Sequence, residues 1–361
     1  MKWIVRIGVG LVGLAVIGFI FFQMFRTQII DGLFQRAIEQ RLDANTVTDL
    51  PDGLHVFMCG TGSPMPDIAR SGPCIGIMAG DRGFIFDMGS GGTRKLGVMG
   101  FPMLNLEKVY LTHLHSDHID GLGELMLQAW VGGERSSPIP IEGPIGTVEV
   151  VDGFVSAYRI DSTYRVAHHG ADIVNPGGFG AVASEITLPL GPGATTVVLE
   201  DDDLKITAIR VDHSPIDPAL AFRVDYKGRS ISLSGDTVYS DNFVSASKGV
   251  DVMFHEALNR EMVIYMGDAL AERGQRVLSK IMYDITDYHT SPREAAEAAS
   301  AAEAGQLVYY HIVPPLPIPA LNPLFARGAD KLYDGDITIG NDGMIFSLPV
   351  GTTKVSLDEA F

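Results

Sequence analysis

Apolar residues fall along this chain in three different rhythms. Residues 7–25 are apolar almost without interruption, Gln23 being the one clearly polar member, and their length is close to the ~20 residues a spanning helix needs. Beyond them Ile29, Ile30, Leu33, Phe34, Ala37, Ile38 and Leu42 recur at helical spacing and predict an amphipathic connector over residues 27–50. Pro51-Asp52-Gly53 breaks that helix. From residue 51 to 361 the pattern is short β-branched and apolar runs punctuated by glycine, as a loop-rich α/β enzyme requires. One exception, at about residues 259–288, returns to helical spacing through Met262, Ile264, Tyr265, Met266, Leu270, Val277, Leu278, Ile281 and Met282. It predicts a helical insertion that forms a lid or pocket wall; burial in a homodimer interface would explain the same residues.

The apolar runs matter for where they stop. Val109-Tyr110-Leu111 ends at Thr112-His113-Leu114-His115-Ser116-Asp117-His118, so three of only ten histidines share one short loop with a carboxylate. Imidazole and carboxylate are the donors that zinc and similar divalent ions prefer. Alternation in His113-x-His115 lets both rings point the same way from an extended backbone, while Asp117 and His118 turn the corner toward a second point. His213 follows Ile209-Arg210-Val211, Asp236 follows Ile231-Ser232-Leu233-Ser234-Gly235, and His311 follows Leu307-Val308-Tyr309-Tyr310. In layered α/β folds, strand ends converging on one edge are where sites are built. His168 and His169 form a doublet of which at most one ring lines a pocket if the backbone is extended. His55 reads as structural.

His-x-His-x-Asp-His, a lone His, Ser-Gly-Asp-Thr and a late His together resemble the metallo-β-lactamase superfamily, over roughly residues 53–350. Cys59-Gly60-Thr61-Gly62-Ser63-Pro64, His255-Glu256-Ala257 and His289-Thr290-Ser291-Pro292 are similar to its ribonuclease Z and arylsulfatase branch. The resemblance implies an αββα sandwich with two divalent ions, zinc before manganese or iron(II). It implies His113, His115 and His213 on one ion, Asp117, His118 and His311 on the other, and Asp236 bridging. Asp117, His289 and Glu256 are implied as catalytic residues. His289 would serve the leaving group, supported by Glu256. The superfamily's true β-lactamases use a cysteine ligand; Cys59 and Cys74 lie away from the ligand motifs, which argues against β-lactam hydrolysis.

Charge and the amino terminus then narrow the expectation. Net charge is -17, no basic stripe tracks a phosphate backbone, and residues 132–193 hold only Arg135, Arg159 and Arg165 as basic residues besides the histidine pair. Charge thus argues against a nucleic-acid partner, and the stretch from Tyr158-Arg159-Ile160-Asp161 through Arg165-Val166-Ala167-His168-His169-Gly170 is similar to the arylsulfatase-like members, a resemblance that implies a hydrolase of small sulfate or phosphate esters. Lactone or carboxylic ester hydrolysis is the alternative; transfer RNA 3′ processing and a non-catalytic binding module rank lower. Residues 1–26 are expected to be an uncleaved signal-anchor, because no small-x-small cleavage pattern follows them. Lys2 and Arg6 put the short end in the cytoplasm and the catalytic domain in the periplasm, attached to the inner membrane. The alternative is secretion after signal cleavage. Two cysteines make no disulfide framework; Cys59 and Cys74 could pair if their strands are neighbours, but two buried free thiols are expected.

Overall fold

The computed structural model describes residues 2–43, with side chains from 17 to 39, and residues 50–191 and 193–361. The chain divides into two compact units, Met1–Asp49 and Leu50–Phe361. The first holds helix α1 (Lys2–Asp43). The anchor expected over residues 1–26 is corrected: among the described residues no helix is long and apolar enough to cross a membrane. The side chains of residues 1–16, where much of that segment lies, fall outside the described residues, as do residues 44–49 of the expected connector.

The second unit is built on two sheets. Strands β1 (Gly53–Gly60), β2 (Cys74–Ala79), β3 (Arg82–Phe86), β4 (Leu106–Tyr110), β5 (Ile139–Gly143) and β6 (Ala181–Glu185) lie side by side in that order. The chain then makes a second sheet from β7 (Thr195–Glu200), β8 (Leu204–His213), β9 (Ile216–Tyr226), β10 (Arg229–Leu233), β11 (Val252–Leu258), β12 (Gln306–Val313) and β13 (Asp336–Ile339). It returns to the first sheet with β14 (Met344–Pro349) beside β1, followed by β15 (Ser356–Glu359).

Side-chain alternation explains why the sheets face each other. Leu54, Val56 and Met58 of β1 enter one core with Phe84, Phe86, Phe222, Val224, Phe254 and Tyr310. The opposite face of the second sheet meets a second core under helices. Ala295, Ala296, Ala298 and Ala299 of one of these helices pack there against Met253, Leu307 and Tyr309, their small side chains allowing close approach. Strands β10, β11 and β12 are therefore buried on both faces.

The helices are α2 (Gly92–Val98), α3 (Ser116–Ile119), α4 (Leu122–Val131), α5 (Thr147–His169), α6 (Asp241–Ala246), α7 (Arg260–Glu272), α8 (Arg276–Asp284), α9 (Pro292–Ala301) and α10 (Asn322–Phe325). The stretch expected to be helical at 259–288 is the pair α7 and α8. Ser291 caps α9 in a capping box with Glu294.

Pairing direction aligns the site. Strands β3 and β4 run parallel, as do β10, β11 and β12. Strand β8 is antiparallel to β9, which is antiparallel to β10, so β8 points the same way as β10. The carboxyl ends of β3, β4, β8, β10, β11 and β12 consequently lie at matching ends of their sheets.

The cysteines follow the alternative open to neighbouring strands. Cys59 and Cys74 are joined in a disulfide rather than left as free thiols. Gly60 pairs with Cys74 where β1 meets β2, which brings the two sulfurs together.

Gly235 turns the chain between β10 and Asp236 at φ +58°, and a Cβ there would lie 2.4 Å from the Leu220 carbonyl oxygen. Gly235→Ala is expected to destabilise the protein by about 1–3 kcal/mol and to lower the melting temperature by ~2 °C or more. It should also reduce bound divalent metal. Unchanged melting and metal content would remove the geometric requirement assigned to this glycine.

Candidate metal centre

Four strand ends deliver the predicted ligands. From β4 the chain enters His113, His115, Asp117 and His118; β8 ends in His213, Gly235 after β10 is followed by Asp236, and β12 carries His311. Candidate ligand atoms of His113, His115, His213 and Asp236 lie within 4.8 Å of one another, as do those of Asp117, His118 and His311. All seven residues predicted as ligands are thus brought together.

Asp236 sits at the middle of the cluster. Its Oδ2 is 3.2 Å from His311 Nε2, 3.4 Å from His118 Nε2, 3.8 Å from His113 Nε2 and 3.9 Å from His213 Nε2. Burial works against ionisation of this carboxyl, but the facing imidazoles of His311 and His118 outweigh it and hold it well below the usual carboxylate range. His118 is held well above the usual imidazole range, the charges of Asp236 and Asp87 overcoming its burial.

The donor set fits divalent ions. His118 Nε2 and Asp236 Oδ1 are buried without a hydrogen-bond partner, an arrangement that costs several kcal/mol unless something else satisfies it. Imidazole nitrogens and carboxylate oxygens at this spacing are what a pair of such ions would satisfy.

The surroundings fix the rings. Asp87 Oδ2 accepts from His118 Nδ1 at 2.8 Å and from Thr112 Oγ1 at 2.7 Å, while Oδ1 accepts from the Thr112 backbone N–H. His213 Nδ1 lies 2.9 Å from the Tyr288 carbonyl oxygen. Both arrangements orient a ligand through its other nitrogen. Asp87 was absent from the sequence-predicted set, although Phe84-Ile85-Phe86 runs into it as apolar runs do into the predicted ligands. Asp87 and His311 both hold positive φ, +56° and +48°, so backbone strain is stored on both sides of the cluster.

His289 joins the edge of the group, its candidate ligand atom within 4.8 Å of those of Asp236 and His311. Its Nδ1 lies 3.0 Å from Glu256 Oε1, which also accepts from the backbone N–H of Thr290 and Thr237. Burial pushes His289 down to about 4 and, with the charge of Asp236, holds Glu256 well above the usual carboxylate range. His168 and His169 end α5 as exposed residues against each other, and no part of this cluster includes them. His55 is buried between Ser347 and the Pro51 carbonyl.

A cavity of about 240 Å³ opens on the cluster, lined by Asp117, Asp236, His289 and His311 and by Met65, Ile281, Ile285, Tyr288 and Val313. Ser63, Pro64 and Met65 come from the loop closed by the disulfide. Asp342 ties both ends of that loop, accepting from Thr61 N–H at 2.9 Å and Ser71 N–H at 2.7 Å.

Residues 102–312 match the family described as Beta-lactamase superfamily domain, and residues 54–142 match the family described as Anti-Pycsar protein Apyc1. A ribonuclease Z of Mycobacterium bovis is 36% identical, aligned over 80% of this chain and 96% of its own. One from Mycolicibacterium gilvum is 34% identical over 80% and 94%. Among solved structures, the short form of human tRNase Z superposes with TM-score 0.59 at 21% identity, over 82% of this chain and all of that one. The metallo-β-lactamase fold protein YhfI from Bacillus subtilis gives 0.58 at 19%, with 82% and 100% covered.

The relatives correct four expectations. Proteins named ribonuclease Z match nearly end to end, which overturns the small-ester substrate and the absence of a nucleic-acid partner. The membrane partner and the periplasmic placement are corrected with them, since the relatives carry the name ribonuclease Z and among the described residues no helix is long and apolar enough to cross a membrane.

Asp87→Ala should weaken divalent metal binding by about 10–100-fold, because it frees the His118 ring to turn. Competitive chelation followed by elemental analysis measures this. An affinity equal to that of the parent protein would strip Asp87 of its orienting role.

Proposed function

We propose, for a chain that belongs to the metallo-β-lactamase superfamily and its ribonuclease Z branch, an RNA phosphodiester hydrolase acting in 3′ processing of transfer RNA precursors. The observation that carries the reading is the 36% identity to a ribonuclease Z over 96% of that relative's length. The buried His and Asp cluster at the strand ends supports it.

In this reading His113, His115 and His213 would hold one ion and Asp117, His118 and His311 a second, with Asp236 available to both. Imidazole and carboxylate donors suit zinc, with manganese and iron(II) as alternatives. When bound, such ions supply Lewis-acid polarisation of the phosphoryl oxygens and acidify water toward neutral pH. Asp117, which also lines the cavity, accepts a hydrogen bond from the attacking water. Glu256 engages His289 Nδ1, leaving Nε2 for the substrate side. As the P–O bond breaks, His289 gives its Nε2 proton to the departing ribose oxygen while its Nδ1 takes the proton carried by the buried Glu256 carboxyl.

The purified protein, supplied with zinc or manganese, should release the 3′ extension of a precursor transfer RNA, and a chelator should abolish cleavage. His289→Ala should retain metal and lose ~10²–10⁴-fold in kcat. Asp236→Ala should lose metal as well. An intact precursor after incubation with metal-loaded protein that still hydrolyses a chromogenic phosphodiester would sink the RNA reading. Unchanged turnover in His289→Ala would withdraw the proton-transfer role.

A further inference from the structure

The chain carries a net charge of -17. Most lysines and arginines of the second unit sit within ion-pair distance of a carboxylate, as Arg82, Arg94, Lys108, Arg210, Arg229 and Lys248 do. Eight have no ion-pair partner among the described residues: Arg135, Arg159, Arg273, Arg276 and Lys354, and Arg293, Arg327 and Lys331, which lie together. All three are exposed, and all three line one surface depression of about 410 Å³. Glu261 is the one carboxylate in that lining.

The depression is tied to the catalytic edge by two side chains in its wall. Arg260 donates to the His289 carbonyl at 2.9 Å and to the Thr286 carbonyl at 3.2 Å, with its third arm on Glu294 at 2.6 Å. Asn259 donates to the Phe325 carbonyl at 2.8 Å, and its own N–H donates to the Val313 carbonyl. His289 and Val313 face the metal-side cavity. The segments presenting Arg293, Arg327 and Lys331 are therefore pinned to the same backbone that lines the site. Arg260 is held in place by these bonds and its charge is paired with Glu294, whereas Arg293, Arg327 and Lys331 have no such partner.

We propose that this depression is an RNA-backbone docking surface, where Arg293, Arg327 and Lys331 receive phosphates of the strand whose scissile bond lies at the metal centre. The proposal rests on the RNA reading above. Guanidinium forks suit phosphate oxygens, and Lys331 adds a point charge, so the surface would grip the backbone without reading sequence. Positive charge left unpaired beside the active edge would also give a polyanion one favourable approach to an otherwise acidic molecule.

The test separates binding from cleavage. Anisotropy titrations of a labelled 3′-extended transfer RNA against chelator-treated full-length protein read binding without turnover. The triple variant Arg293→Ala, Arg327→Ala, Lys331→Ala is expected to bind at least ~10-fold more weakly. Its slope of log affinity against log salt should fall by about 2, since each single-strand phosphate no longer neutralised removes ~0.7. With metal restored, its activity on RNA relative to a chromogenic phosphodiester should fall by a similar factor. Lys354→Ala, an exposed cation elsewhere, should bind as the parent does. The reversal Arg327→Glu with Lys331→Glu should weaken binding further, and unchanged melting temperatures guard against misfolding. RNA affinity and salt slope equal to the parent's in the triple variant would overturn the proposal, as would a parent protein that binds no RNA. A parent that binds RNA through these residues but does not cut it would instead overturn the function proposed above.

Discussion

A single buried carboxylate organises this molecule's active edge. One oxygen of Asp236 faces imidazole nitrogens of four histidines, all within 3.9 Å, and those histidines arrive from three different parts of the chain. Burying that many donors together is unfavourable unless charge is balanced within the cluster. The rest of the fold can be understood as meeting this demand. Strand ends aligned at one edge bring the donors together, Asp87 and the Tyr288 carbonyl fix two of the rings, and strained backbone at Asp87 and His311 is held by the packing around it.

Much of this was legible in the residues. The loop from His113 to His118 declared itself by density, and His213, Asp236 and His311 by ending apolar runs. Asp87 obeys the same rule but does not stand out, because a single aspartate after a strand is commonplace; its partner His118 is 31 positions away. Asp342 left no trace, since its bonds to Thr61 and Ser71 join positions more than 250 residues apart and depend on β14 returning beside β1. The disulfide was hidden for a related reason. Two cysteines 15 apart can pair only if their strands are neighbours, and that is not decided until β1 is known to lie beside β2 in this register.

Substrate was the least legible property, and the cause is physical. Net charge is a sum over the whole surface, whereas a polyanion responds to the local potential where it lands. Salt-bridged cations contribute little to that potential. The exposed and unpaired Arg293, Arg327 and Lys331 are separated in sequence, so they form no basic run, and folding alone assembles them in one depression.

The link between Cys59 and Cys74 makes the wall of the catalytic cavity a covalent ring. Residues 59–74 form a closed circuit, with the sulfurs completing what the peptide backbone leaves open. Closing a loop of 15 residues removes about 3 kcal/mol of entropy from the unfolded chain on a simple polymer account. Ser63, Pro64 and Met65 belong to that circuit. A protease that severed one peptide bond within it would linearise the ring yet release neither fragment, leaving both halves of the wall attached to β1 and β2.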